Sequence, residues 1–316
     1  MKVTLLSYTT DALDLLLFTK QTRLAQTPGL LEEIKRWSLE KKMAELDYML
    51  GTIHSSWEFV NYTFHIDGVT RAFTHQFVRT RHGSFAQQSQ RTVDMAGFEY
   101  VATGKLNDGL ARRATDDNVL KPDYRKWLGD KIANYGTSDL VPENPINWND
   151  MAMDVVDLAY QRMTALGVPP QDARGVLPTN IVTNIVAAFN LRTLSDMAKL
   201  RLCTRTQGEY QEVFRAMRRA VLDVHPWAEP FIRVHCAALG VCAFPHYKEC
   251  PIKPPVFNPD SGGRWDGAQD TVTIVDEYRQ RHVIIAPKPP ATREEIQAKW
   301  EETYFEATPR QVPNGH

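Results

Sequence analysis

Arg79-Thr80-Arg81-His82-Gly83-Ser84-Phe85-Ala86-Gln87-Gln88-Ser89-Gln90-Arg91 is a stretch with almost no apolar periodicity and a one-sided balance of charge. Between Asp67 and Asp94 the chain carries no acidic residue, yet Arg71, His75, Arg79, Arg81, His82 and Arg91 all fall in that interval. Cations gathered without carboxylates point to a bound anion, because arginine forks match phosphate oxygens bidentately. Interleaved with them, Gln76, Ser84, Gln87, Gln88, Ser89 and Gln90 offer directional hydrogen bonds to a phosphate, a ribose or a heterocycle. A solvated basic loop with rim ion pairs has the same composition, so composition alone leaves both readings open. Lacking periodicity, 79–91 reads as a loop.

Upstream of this loop, residues 69–78 follow Gly68 as a helix. In 58–66, Phe59, Asn61, Thr63 and His65 alternate with Val60, Tyr62, Phe64 and Ile66, the period-two pattern of a half-buried strand. From 30 to 50, Leu31, Ile34, Trp37, Leu39, Met43, Leu46 and Met49 recur mostly every three to four residues, which predicts one amphipathic helix. Residues 1–7 and 12–19 open the chain as a strand and a short helix.

Downstream, 102–148 is polar and broken by Gly104, Gly109, Pro122, Gly136, Pro142 and Pro145, and reads as a variable excursion before a helix at 150–166. A strand at 180–190 and helices at 193–202 and 209–224 follow, the last stopping before Pro226. The second polar cluster, Asn190, Arg192, Asp196, Lys199, Arg201 and Arg205, lies there. Arg192 and Asp196 are four apart, as are Arg201 and Arg205, so each pair is expected to share a helix face, the first as an intrahelical ion pair. Beyond Cys250 the chain turns rich in Pro and Gly, so 251–316 is expected to be an extended or partly mobile appendage to a domain at 1–250, with 271–275 and 282–285 able to pair as a hairpin.

The 316 residues, 43% hydrophobic with net charge -1, suffice for a sizeable core and disfavour a protein that is basic on every face. No apolar run approaches the roughly 20 residues that cross a bilayer, and the start lacks the charged and apolar regions of a secretory signal, so a cytoplasmic protein is expected. Four cysteines are too few for a disulfide framework. His235, Cys236, Cys242, His246 and Cys250 lack the spacing of a zinc knuckle, so no metal is expected. Gly104-Lys105 is not a phosphate loop, and no G-x-G-x-x-G occurs.

The order of residues in 79–91 resembles the signature R-H-R-x-x-S-x-N-x-x-S-x-R of flavin-dependent thymidylate synthases, with five of seven fixed positions in common and Thr80 and Ala86 departing. The family's order is also met by residues 1–6, His54 with Glu58, the strand at 62–65, and Gln76. Further on, Ala173-Arg174-Gly175-Val176-Leu177-Pro178 looks like its A-R-x-x-L-P element, Asn190-Leu191-Arg192-Thr193-Leu194 looks like its N-x-R-S-L element, and Arg201 follows at its interval. The resemblance covers about 1–245.

It implies an α/β (α+β) fold like that of thymidylate synthase-complementing proteins, a mixed sheet with long helices, assembled as a homotetramer whose active sites are shared between subunits. The implied reaction is reductive methylation of dUMP to dTMP, with 5,10-methylenetetrahydrofolate as carbon donor and NADPH as reductant through FAD. Carried onto this sequence, FAD would meet Arg79, Thr80, Arg81, Gln87, Asn190, Arg192, Asp196 and Arg205. Around dUMP would stand Gln76, Gln87, Ser89, Gln90, Arg91, Arg174 and Arg201, and folate would lie near His54 and Glu58. Ser89 and Arg201 would act at the reacting ring: Ser89 as an orienting hydroxyl, since no His or carboxylate in the loop is clearly placed to activate it, and Arg201 as a fixed charge for the negative uracil ring. Thr80, Ala86 and Asp196, which stands for the family's asparagine, also suit a related pyrimidine-nucleotide hydroxymethylase or a dCMP-directed enzyme. From another class, a non-catalytic nucleic-acid-binding protein would grip phosphates with the same arginines, and its affinity would fall steeply with salt. The preferred enzyme reading involves no nucleic acid and no membrane.

Overall fold

The computed structural model describes residues 1–21, 28–52, 54–101, 145–242, 244, 250–252, 271–275, 281–285 and 292–303. In chain order the elements are β1 (Lys2–Tyr8), α1 (Ala12–Gln21), α2 (Leu30–Lys35), α3 (Leu39–Thr52), a 3-10 turn (His54–Phe59), β2 (Asn61–Thr70), α4 (Arg71–Phe77) and β3 (Gly83–Gln87). They continue as α5 (Pro145–Ala165), α6 (Pro170–Ala173), β4 (Val182–Asn190), α7 (Leu191–Arg201), α8 (Gly208–Val224), α9 (His235–Leu239), β5 (Thr271–Val275), β6 (Arg281–Ile285) and α10 (Arg293–Glu301). The chain is thus a mixed α/β protein with a small sheet, and it divides into two compact units.

One unit comprises Met1–Tyr8, Asn61–Phe189 and Gly208–Val213. Its sheet has the order β1-β2-β4-β3, with β1 antiparallel to β2 from Lys2↔Asp67 to Tyr8↔Tyr62 and β3 antiparallel to β4 from Gly83↔Phe189 to Gln87↔Ile185. The period-two pattern follows from burial of one face: Tyr62, Phe64 and Ile66 of β2 and Ile185, Ala187 and Phe189 of β4 are inside. Phe77 at the end of α4 meets Phe73, Phe85, Phe189 and Tyr210 with ring centroids 4.9, 5.6, 5.4 and 5.8 Å apart. Three of these contacts are edge-on, the geometry that ring quadrupoles favour.

The signature stretch is therefore not all loop. Residues Gly83–Gln87 form an edge strand, which the sequence conceals because Phe85 is its only large apolar side chain. Gly83 is required there for space: a Cβ would stand 2.4 Å from Cε1 of Phe189. Gly83→Ala is expected to cost about 1–3 kcal/mol by overpacking, read as a lowered melting temperature. An unchanged melting temperature would contradict that contact.

Several boundaries shift. The strand expected from residue 58 begins at Asn61, Glu58 and Phe59 belonging to the 3-10 turn, and it runs on through Val69 and Thr70. The helix expected from residue 69 starts at Arg71, because the Thr70 hydroxyl accepts from the Phe73 N–H (3.0 Å) and caps it. Helix α5 begins at Pro145, earlier than residue 150, and proline suits a first turn that needs no N–H from it. Of the expected excursion at 102–148, residues 102–144 lie outside the described residues.

The other unit comprises Thr9–Val60, Asn190–Gln207 and Phe214–His316. The single helix expected over 30–50 is two helices. The Arg36 and Trp37 N–H groups bond back to Glu33 and Ile34 in a tight turn, and the Ser38 hydroxyl then accepts from the Lys41 N–H (3.2 Å) to start α3. Strands β5 and β6 pair antiparallel from Thr271↔Ile285 to Val275↔Arg281, as the hairpin reading expected. The appendage is not all extended, however: α10 opens with a reciprocal capping box between Thr292 and Glu295 and buries Ile296 and Trp300. No helix of the described residues is long and apolar enough to cross a membrane.

Candidate active site

In the first unit the site begins at the start of α4. The Arg71 and Ala72 N–H groups, orphans of a helix N-terminus, donate to the carbonyls of Ile181 (3.0 Å) and Thr179 (2.7 Å). The 174–181 segment is thereby tied to α4, which brings Arg174 near Arg71. Burial, and then the charge of Arg174, hold the Arg71 guanidinium below the ordinary arginine pKa. Arg71 Nη2 donates to the Gln88 carbonyl (2.6 Å), while its buried Nε bonds to none of the described residues. Arg174 Nε donates to the Gln171 carbonyl (2.9 Å). Among the described residues neither guanidinium is paired with a carboxylate.

The signature strand is pinned on both sides. Gln87 Nε2 donates to the Thr74 hydroxyl (2.8 Å), the Gln88 N–H to the Asn184 carbonyl (3.3 Å), and Asn184 Nδ2 to Gln88 Oε1 (3.1 Å). Ser89 Oγ accepts from the Arg91 N–H (3.1 Å), a short turn that holds the hydroxyl. Gln76, Arg79, Arg81, Ser89 and Arg91 are exposed on the single chain, whereas Thr80, Gln87, Gln90 and Arg174 are half-buried. Arg71, one of the cations of the acid-free interval, is given no individual role by the resemblance.

Glu209, in the first turn of α8, supports this arrangement from behind. Its carboxylate accepts from the Thr70 N–H (2.7 Å) and hydroxyl (2.6 Å), so it fixes the cap of the helix that carries Arg71 and Gln76. Burial raises its pKa above the ordinary glutamate value despite those hydrogen bonds. A carboxyl with a raised folded-state pKa binds its proton more tightly folded than unfolded, so its contribution to stability grows as pH falls through the folded pKa toward the unfolded one. Wild-type protein is therefore expected to gain melting temperature relative to Glu209→Gln on going from pH 7 to pH 5. A parallel pH dependence of the two proteins would refute it.

The second unit holds the remaining candidates. Asn190 Oδ1 accepts from the Thr193 N–H (2.8 Å) and caps α7. Arg192, in the first turn of that helix, donates to Glu58 (2.5 Å), with both side chains about half exposed. Asp196 instead binds Lys199 (2.8 Å). The expected intrahelical pair of Arg192 with Asp196 is thus overturned, because packing of the 3-10 turn on α7 delivers a carboxylate from far away in sequence. Nor do Arg201 and Arg205 share a helix face, since α7 ends at Arg201; the Arg205 guanidinium lies 4.2 Å over the Phe244 ring. His54 rests on Trp57 with ring centroids 4.4 Å apart. Trp57 is buried, its ring meets Phe231 edge-on with centroids 4.7 Å apart, and its Nε1 bonds to no described residue. Trp57 was missed because its apolar bulk reads as core.

No disulfide joins the four cysteines, which are near enough to influence one another around Cys236, whose thiol burial pushes up to about 12. Among the described residues no three His, Cys, Asp or Glu side chains are arranged to hold a metal ion.

Residues 4–227 match the family described as thymidylate synthase complementing protein. The chain belongs to that family. Among relatives of this chain, the flavin-dependent thymidylate synthase of Nitratidesulfovibrio vulgaris is 34% identical over 217 residues, 68% of this chain and 77% of its own length. The enzyme of the same name from Clostridium tetani is 30% identical over 227 residues, 71% of this chain and 84% of its own. A crystal structure of the Helicobacter pylori flavin-dependent thymidylate synthase complexed with FAD and dUMP covers 74% of this chain and 100% of its own, at 18% identity and a TM-score of 0.49.

Proposed function

We propose that the chain is a flavin-dependent thymidylate synthase that methylates dUMP to dTMP in the cytoplasm, with 5,10-methylenetetrahydrofolate as carbon donor and NADPH as reductant. The observation that carries the assignment to a nucleotide, beyond family membership, is the meeting of Arg71 and Arg174. The charge of Arg174 reaches the Arg71 guanidinium, whose buried Nε has no partner among the described residues. Like charges held together at a desolvation cost suit a doubly negative phosphate, which would relieve both. Arg91 would add a third cation, Gln76, Gln87, Ser89 and Gln90 would fix the nucleoside, and Arg201 would face the uracil.

The residues present fit FAD. The stretch 54–58 places the ring pair of His54 and Trp57 next in sequence to the ion pair of Glu58 and Arg192, so flat rings, a cation and an indole donor without a partner among the described residues are supplied, a set suited to a polar aromatic heterocycle. Arg79, Thr80, Arg81, Gln87, Asn190, Arg192, Asp196 and Arg205 would hold it, with His54 and Glu58 toward folate. When bound, FAD supplies the reducing equivalents that complete the methyl group. Arg79, Arg81 and Arg91 stand exposed on one chain. In the homotetramer we infer, neighbouring subunits would cover them and complete each site.

Purified protein should be yellow, with near-stoichiometric FAD absorbance, and should convert dUMP to dTMP when given methylenetetrahydrofolate and NADPH. Product mass decides the chemistry: dTMP supports the proposal, a hydroxymethylated nucleotide or a product from dCMP alone replaces it with the related activity, and colourless protein that binds RNA or DNA instead sinks it.

A further inference from the structure

The helix α10 lies outside residues 4–227, the part of the chain that matches the family, yet it is capped at its start and buries Ile296, Gln297 and Trp300. Trp300 is fully buried, and its Nε1 donates to the Leu202 carbonyl (2.8 Å). Leu202 is the C-cap of α7, where a helix leaves carbonyls without intrahelical partners, and it directly follows Arg201. One residue further along α10, Glu301 accepts from Arg218 Nη2 (3.0 Å) and from Gln297 Nε2 (2.8 Å). Arg218 is itself buried on α8 and also donates to Glu229 (3.1 Å) and to the Ile232 carbonyl (2.9 Å). The guanidinium lies 5.5 Å from the Trp300 ring centroid. A helix that only covered apolar surface would need neither the indole bond to a cap carbonyl nor a buried arginine bonded to its end.

We propose that α10 is a positioning element of the catalytic body, in which Trp300 holds the C-terminal turn of α7 and so sets the place of Arg201 at the uracil. Trp300 is a positioning residue: it acts through Leu202 and touches neither nucleotide nor flavin. The inference rests on the role of Arg201 in the function proposed above.

The test uses the full chain with three substitutions. Trp300→Phe keeps a buried ring and removes the donor. It is expected to retain FAD and the wild-type circular dichroism while kcat falls about five-fold, the change that loss of one buried hydrogen bond produces. Glu301→Gln weakens the Arg218 anchor at a part-exposed position, opens no cavity and is expected to lower kcat about two-fold. Arg293→Ala, at the far end of the helix, should match wild type. Amide exchange across 200–206 gives a readout independent of activity: it should quicken in Trp300→Phe and not in Arg293→Ala. Wild-type kcat and wild-type exchange at 200–206 in Trp300→Phe overturn the proposal, as does a loss of melting temperature alone. Should Trp300→Phe fail to fold, Glu301→Gln decides by the same two measurements. If wild-type protein makes no dTMP, the assigned activity fails, and the exchange pattern alone supports or overturns the hold of Trp300 on the α7 turn.

Discussion

Arg174→Ala and Arg71→Ala are each expected to weaken dUMP binding by roughly ten- to one-hundred-fold, since a charge-assisted bond to phosphate contributes about 1.5–3 kcal/mol. Calorimetric titration with dUMP reads the effect directly. The Arg71 substitution separates a binding role from a structural one. Its guanidinium is desolvated and feels the charge of Arg174, so in the ligand-free protein it is held at a cost that, among the described residues, the Gln88 carbonyl offsets. Removing it should therefore lower affinity far more than melting temperature, whereas an arginine kept for folding would show the reverse. The double variant should lose less than the sum of the two, because both groups address one phosphate. Binding of dUMP should also become less sensitive to salt as cations are removed. Wild-type affinity in both single variants would reject the phosphate site.

What the sequence made legible was local. Strands β2 and β4 could be read because each buries one face, and the pattern of Tyr62, Phe64 and Ile66 or of Ile185, Ala187 and Phe189 records that burial residue by residue. Strand β3 could not: its pairing to β4 is satisfied by backbone, and an edge strand needs only Phe85 inside. The break between α2 and α3 was hidden because Arg36-Trp37-Ser38 holds no glycine or proline, and the stop comes from backbone bonds and a serine cap. At the candidate site the acid-free run of cations was visible, but the partner of Arg192 was not. Helical spacing offered Asp196, four residues away, and the fold supplied Glu58 from 134 residues away. Composition averaged over 251–316 likewise masked α10, although Thr292-Arg293-Glu294-Glu295 carries the capping signal. Non-local pairs and short capped helices in polar surroundings escape window-based reading for the same reason: neither leaves a periodic trace.

Arg201→Ala is expected to lower kcat by about a hundred- to a thousand-fold while the KM for dUMP changes much less, the pattern of an interaction made chiefly in the transition state. Methylation requires the uracil ring to become nucleophilic at C5, so negative charge develops on the ring, and a fixed cation facing it is worth most at that moment. Arg201 is suited to this. It is half-buried, it ends a helix whose negative dipole end favours a cation, and the next residue is held by the Trp300 indole. Arg201→Lys keeps the charge and loses the planar fork, so it should recover part of the rate but not all. Loss of the helix-end cation also costs stability, about 0.3–1 kcal/mol, too little to unfold the protein at 25 °C, so steady-state rates there report chemistry. If Arg201→Ala keeps kcat within a few-fold of wild type, the ring charge is stabilised elsewhere, and the place of α7 in catalysis must be drawn from Arg192 rather than from its C-terminal turn.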